Sequence, residues 1–167
     1  MDQQRIYSLY EQYKNGIFRY VLSITKDPCL AEDVLQDTFV KLLSGDTSIA
    51  PGKEQAWLYR VARNQCYDYL RKAKRERPHT QMPSGLDAPY EYIDLIASLS
   101  PREREIVTLK IVGGLTHREI GAVLGITAKA AQKRYERAIA TLREKEDEDG
   151  TKIIRRSRQA AGNGVDF

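Results

Sequence analysis

Between Leu115 and Arg143 the chain reads LTHREIGAVLGITAKAAQKRYERAIATLR, which sets Lys129, Gln132, Lys133 and Glu136 within two helical turns. From a helix lying in the major groove, amide and charged groups at that spacing can reach base edges. Arg134 and Arg137 lie on the flank, where phosphate oxygens are the natural targets. Upstream, Arg60, Arg63, Asn64, Tyr67, Arg71 and Lys74 fall close to one line of another helical stretch. Cations for the backbone, an amide for base edges and a ring for stacking suit nucleic acid, a flipped or single-stranded base included. A solvated helix face is the alternative there, since any exposed helix shows charge at that period. Neither set is a reaction centre. Asp33 and Asp37 stand four apart, but nothing joins them into the convergent cluster that metal-assisted hydrolysis requires. His79 and His117 lack partners at ligand spacing, and His117 reads as an exposed helix residue. The sequence therefore predicts no catalytic residue, no metal, no cofactor and no small-molecule substrate.

The elements that carry these residues are marked by caps and stripes. Thr116 and Glu119 have the spacing of a capping box, with the hydroxyl closing one end and the carboxylate reaching back to the cap amide. Ile120, Val123 and Leu124 line one face of the short helix that follows, Gly125 supplies the positive φ of a tight exit, and Thr127 caps the next helix. On that helix Ala131, Tyr135, Ala138 and Leu142 make a buried stripe opposite the basic face. Cap, glycine and stripe stand in register, which favours a helix-turn-helix for duplex DNA over a plain helical hairpin.

Helical periodicity extends over the rest of the chain, and no segment alternates like a strand. Ile6, Tyr10, Tyr13, Ile17, Val21 and Ile24 form a first stripe; Asp27-Pro28 starts a second helix with Ala31, Val34, Leu35, Thr38, Phe39 and Leu42 inward. After the turn-rich loop 44–52, a long helix from about Lys53 to Lys74 buries Leu58, Val61, Ala62, Gln65 and Tyr69. Gln65 is out of place in an apolar stripe: either it finds a buried partner or the stripe is shallower there. Trp57 sits on the border of the two faces. Residues 78–90 hold three Pro and one Gly and break every pattern. A short helix near 91–98 follows, then a second capping box, Ser100 to Glu103, opening a helix with Ile106, Leu109 and Ile111. Beyond Arg143 the acidic, then basic stretch reads as a frayed or disordered tail. The expected fold class is all-α: two small helical domains, 1–77 and 91–145, joined by a flexible linker, 78–90, the second domain a helix-turn-helix, with a tail at 146–167.

The net charge of +4 is unevenly placed. Residues 1–46 carry five Lys/Arg against seven Asp/Glu, whereas 53–77 carry eight against three. A local basic face is what attracts phosphate. Cys29 and Cys66 have no metal spacing and fit a reducing compartment. The N-terminus has neither signal-peptide character nor a bilayer-spanning apolar run, which predicts a soluble cytoplasmic protein without membrane insertion.

Three segments, LAEDVLQDTFVKLL (30–43), AWLYRVARNQCYDYLRK (56–72) and LSPREREIVTLKIVGGLTHREIGAVLGITAKAAQKRYERAIATLR (99–143), resemble bacterial RNA polymerase sigma factors of the extracytoplasmic-function group. The likeness covers about residues 5–143, with the motifs in the family's order. It implies that Asp33, Gln36 and Asp37 dock on the coiled coil of the polymerase largest subunit. It implies that the loop 44–55 and the helix of Arg60, Arg63, Asn64, Tyr67 and Arg71 capture and melt the downstream (−10) promoter element. The helix-turn-helix, with Lys129, Gln132, Lys133, Arg134, Glu136 and Arg137, would read the upstream (−35) element, and 78–90 would thread toward the RNA exit path. The implied partners are core RNA polymerase, promoter DNA and an anti-sigma factor. Where the family often has Gly-Thr-Val early in the recognition helix, this chain has Lys129-Ala130-Ala131; Lys129 would bring extra charge to the DNA, and the resemblance does not extend to the usual upstream preference.

Two other readings make different demands. A stand-alone helix-turn-helix regulator would bind a symmetric operator without polymerase, and the acidic helix and single recognition helix argue against it. A nuclease would need the convergent carboxylate or His cluster that is missing from the pattern.

Overall fold

The computed structural model describes residues 1–46, 48–73 and 90–149. The chain divides into two compact units, Met1–Leu86 and Asp87–Phe167. The first contains α1 (Gln3–Thr25), α2 (Pro28–Ser44) and α3 (Glu54–Ala73); the second contains α4 (Tyr90–Ile96), α5 (Pro101–Ile111), α6 (His117–Leu124) and α7 (Ala128–Asp149). Every regular element among the described residues is an α-helix, as the periodicity predicts. Of the expected linker only Tyr90 is described; His79, Lys74 and residues 150–167 of the tail lie outside the described residues.

In the first unit each helix packs on the other two. The Asp27 carboxylate accepts the Cys29 and Leu30 N–H groups at 3.0 and 3.2 Å, with Pro28 opening α2 and Gly45 closing it at φ 70°. Ala31, Val34, Leu35, Thr38, Phe39 and Leu42 are all buried, as their spacing predicts. They share a core with Ile17, Tyr20, Val21 and Leu22 of α1 and Leu58, Tyr59, Ala62 and Cys66 of α3. Rings lock the packing: Tyr10 meets Phe39 edge-on at 5.0 Å and Tyr20 meets Tyr59 at 5.6 Å. Desolvation pushes the Tyr59 hydroxyl well above its ordinary pKa.

The single stripes expected for α1 and α3 are too narrow. Leu9, Tyr20 and Leu22 are buried on α1, while Tyr10, Tyr13 and Ile24 keep part of their surface; on α3, Tyr59 and Cys66 are buried and Val61 and Tyr69 are partly exposed. A helix wedged between two others buries a wider arc than one stripe.

In the second unit the Ser100 capping box is complete: its hydroxyl accepts the Glu103 N–H at 3.3 Å and its own N–H donates to the Glu103 carboxylate at 3.0 Å. The box at Thr116 is half-built. Its hydroxyl accepts the Glu119 N–H at 3.2 Å, but the Glu119 carboxylate turns to that hydroxyl at 3.1 Å instead of the cap amide. Gly125 closes α6 at φ 70°, and Thr127 caps α7 by accepting the Ala130 N–H at 3.1 Å. Ala131, Ala138 and Leu142 are buried, whereas Tyr135 is partly exposed. The turn depends on a residue that the pattern passes over: a Cβ on Gly121 would lie 2.6 Å from the Ile126 carbonyl oxygen. α7 continues to Asp149 instead of fraying at Arg143, since Glu and Lys extend a helix already started.

Candidate nucleic-acid and docking surfaces

α7 presents Lys129, Gln132, Lys133, Glu136 and Arg137 to solvent, with Arg134 half-buried on the flank. The cap at Thr127 and the buried Ala131 and Ala138 fix this rotation of the helix. Gln132 and Glu136 are already paired, Nε2 donating to Oε1 at 3.2 Å. His117 departs from its expected exposure: it is half-buried, its ring packs 5.7 Å from that of Tyr135, and its Nδ1 is buried without a hydrogen-bond partner. The ring thus braces α7 from the start of α6.

On α3 the outward residues gather into one feature. Arg63, Asn64, Tyr67, Asp68 and Arg71 line an open, shallow cleft on one face of α3. The Arg63 guanidinium lies over the Tyr67 ring, 4.8 Å from its centroid. Arg71 is ion-paired with Asp68, a residue not expected in the site although its i, i+3 spacing to Arg71 is visible in the sequence. Arg60, one turn earlier, is exposed and outside the cleft lining. The arrangement offers a ring held flat by a cation, an amide and a second cation. It can stack and hydrogen-bond a planar group while holding a phosphate. The helix start is pinned by Arg5, which donates to Glu54 at 2.8 Å across the unit. That hydrogen bond holds the Glu54 carboxyl below its ordinary value of 4.5, backbone N–H groups adding to the effect.

The three acidic-helix residues do not stand alike. Asp33 and Gln36 are exposed on α2, whereas Asp37 is half-buried and accepts the Tyr69 hydroxyl of α3 at 2.6 Å. That bond, with burial second, raises the Tyr69 pKa. Asp37 is therefore a brace between α2 and α3 as well as an acidic surface group. Gln65 has no brace: it is 6% exposed, and neither amide atom has a hydrogen-bond partner. An unsatisfied buried amide costs about 1–3 kcal/mol.

Cys29 is exposed and Cys66 is buried. No helix among the described residues is long and apolar enough to cross a membrane.

Comparison with known proteins agrees with this layout. Residues 9–76 match the family model of Sigma-70 region 2, and residues 90–142 match Sigma-70, region 4. The chain is 30% identical over 132 residues to the ECF RNA polymerase sigma factor SigM of Bacillus subtilis, a match covering 71% of this chain and 81% of SigM. It is 30% identical over 155 residues to the RNA polymerase sigma factor CarQ of Myxococcus xanthus, covering 85% and 89% of the two chains. Among solved structures, CnrH in complex with the cytosolic domain of CnrY matches with a TM-score of 0.69 at 25% identity, covering 89% of this chain and 92% of that one. The sigma factor RpoE from Bartonella quintana, in complex with the anti-sigma factor NepR, shares the fold with a TM-score of 0.64 at 24% identity, covering 82% and 95%. With both sigma regions in order and a relative matched over most of its length, the chain belongs to the extracytoplasmic-function sigma factors, which direct promoter-specific transcription initiation.

Proposed function

We propose the following division of labour for this sigma factor. The exposed Asp33 and Gln36, with Asp37, dock on the coiled coil of the largest subunit of core RNA polymerase. Arg60, Arg63, Asn64, Tyr67 and Arg71 hold the downstream element as it opens. Lys129, Gln132, Lys133, Arg134, Glu136 and Arg137 read the upstream element from the major groove. The domains are 1–77 and, with the helices that begin at Tyr90 and end at Asp149, 90–149; 78–89 is the linker that makes the second DNA contact intramolecular. The chain does no chemistry itself; polymerase does, in the cytoplasm. Opening costs on the order of a few kcal/mol per unstacked step, and a captured base offsets part of it. An anti-sigma factor is a further partner, a reading supported by the complex with NepR in which the similar RpoE was solved.

The observation that carries this reading is the cleft on α3, where the Arg63-backed Tyr67 ring stands beside Asn64 and Arg71. Permanganate footprinting of promoter DNA with core polymerase tests it. Tyr67→Ala is expected to lower the reactivity of downstream-element thymines while duplex binding to the upstream element persists. Unchanged reactivity would contradict the assignment of the cleft.

A further inference from the structure

Gln65 stands one turn before Tyr69 on α3, in a stripe where a Leu or Met would pack without an unpaired amide. A buried polar group without a partner calls for a reason. Its surroundings supply one. Gln65 forms part of the lining of a cleft of about 270 Å³ between α2 and α3, together with Asp37, Val40, Lys41, Asp68, Tyr69 and Lys72. The cleft borders the exposed face of α2, along which Asp33, Gln36, Val40 and Leu43 follow at spacings of three and four residues. Val40 and Leu43 are 59% and 54% exposed, so the acidic half of that face runs into an apolar half beside the cleft.

We propose that Gln65 is a docking residue: a side chain from the polymerase helix that meets α2 enters this cleft and hydrogen-bonds the Gln65 amide. The inference rests on the docking reading above and deepens it. The face defines its occupant. Opposite Asp33 the partner helix carries a basic residue, and opposite Val40 and Leu43 it carries apolar ones. The group that enters is uncharged and both donates and accepts, an amide or a hydroxyl, because Gln65 offers one acceptor and one donor group. A charged group gains little there, since the carboxylates of Asp37 and Asp68 and the ammonium groups of Lys41 and Lys72 oppose each other around the cleft. The amide is shielded from solvent in the free protein, so it pairs as the long, exposed Lys41 and Lys72 side chains move on docking.

The test compares stability and affinity in the full chain carrying Gln65→Met, which keeps the length and removes the amide. Melting temperature is read by calorimetry, and affinity for core RNA polymerase by competition with labelled wild-type protein at fixed salt. Asp33→Ala is measured in the same assay. The expected result is a higher melting temperature with polymerase affinity weakened roughly tenfold, the scale of one lost interfacial hydrogen bond left unpaired on the partner. A higher melting temperature with unchanged affinity, while Asp33→Ala weakens binding, overturns the role of Gln65 and leaves the docking face standing. If neither variant weakens binding, the docking reading falls and this inference with it. A lower melting temperature shows that the amide is already satisfied in the free protein, which also overturns it.

Discussion

At the scale of single residues, one missing Cβ has as much consequence as any charge. Gly121 lies within α6, facing the turn that leads into α7, and an added methyl group would meet the Ile126 carbonyl oxygen at 2.6 Å. That oxygen belongs to the backbone, so relief requires the turn itself to open. Gly121→Ala is expected to cost the second unit about 1–3 kcal/mol, as overpacking does; an unchanged thermal midpoint would show that the turn yields without strain. Gly125 was legible because a glycine just after a periodic run signals a left-handed exit, and its φ is 70°. Gly121 was not, because its constraint comes from a contact across the turn and leaves no periodic trace. His117 was misread for the same reason: its packing partner, Tyr135, lies on another helix.

Between elements, two cross-ties hold the first unit in its working geometry, Arg5 to Glu54 and Tyr69 to Asp37. The Glu54 carboxyl is held below 4.5 in the folded state, so its contribution is present above that pH and is lost as pH falls through the lowered value. Glu54→Gln is therefore expected to lower stability slightly at neutral pH, to leave it nearly unchanged at low pH where the carboxyl is protonated, and so to flatten the acid limb of the profile. Arg5 is 60% exposed, so the gain is small and weakens with salt. An acid limb as steep as the wild type would contradict the assignment. Helix positions, caps and the α2 core face were readable from spacing, since each depends on residues within a few positions. The wider arcs of α1 and α3 and the brace at Asp37 were not, because a stripe does not say how many helices press on it. The outward line on α3 was readable, but the Arg63–Tyr67 stacking and the Asp68–Arg71 pair along it were not.

For the whole molecule the claim is that one chain links polymerase to two promoter elements, with the labour divided between its surfaces. Separate damage should follow. Asp33→Ala with Gln36→Ala is expected to weaken core-polymerase binding first and leave DNA preference as it was. Lys133→Ala is expected to weaken upstream-element recognition by about 1–3 kcal/mol, the range for a good base contact, with polymerase affinity intact. Equal loss of both properties in either variant would contradict the division. The family and the order of its two regions were legible from three sequence segments; the promoter bases were not, since Lys129-Ala130-Ala131 departs from the family's usual residues at the helix that reads them. The most direct test is run-off transcription by purified core polymerase, with and without this protein, on a library of promoters from its own genome. The account predicts start sites that appear only with the protein and share an upstream and a downstream element. Tight, symmetric duplex binding by the protein alone, with no new transcripts, would contradict it.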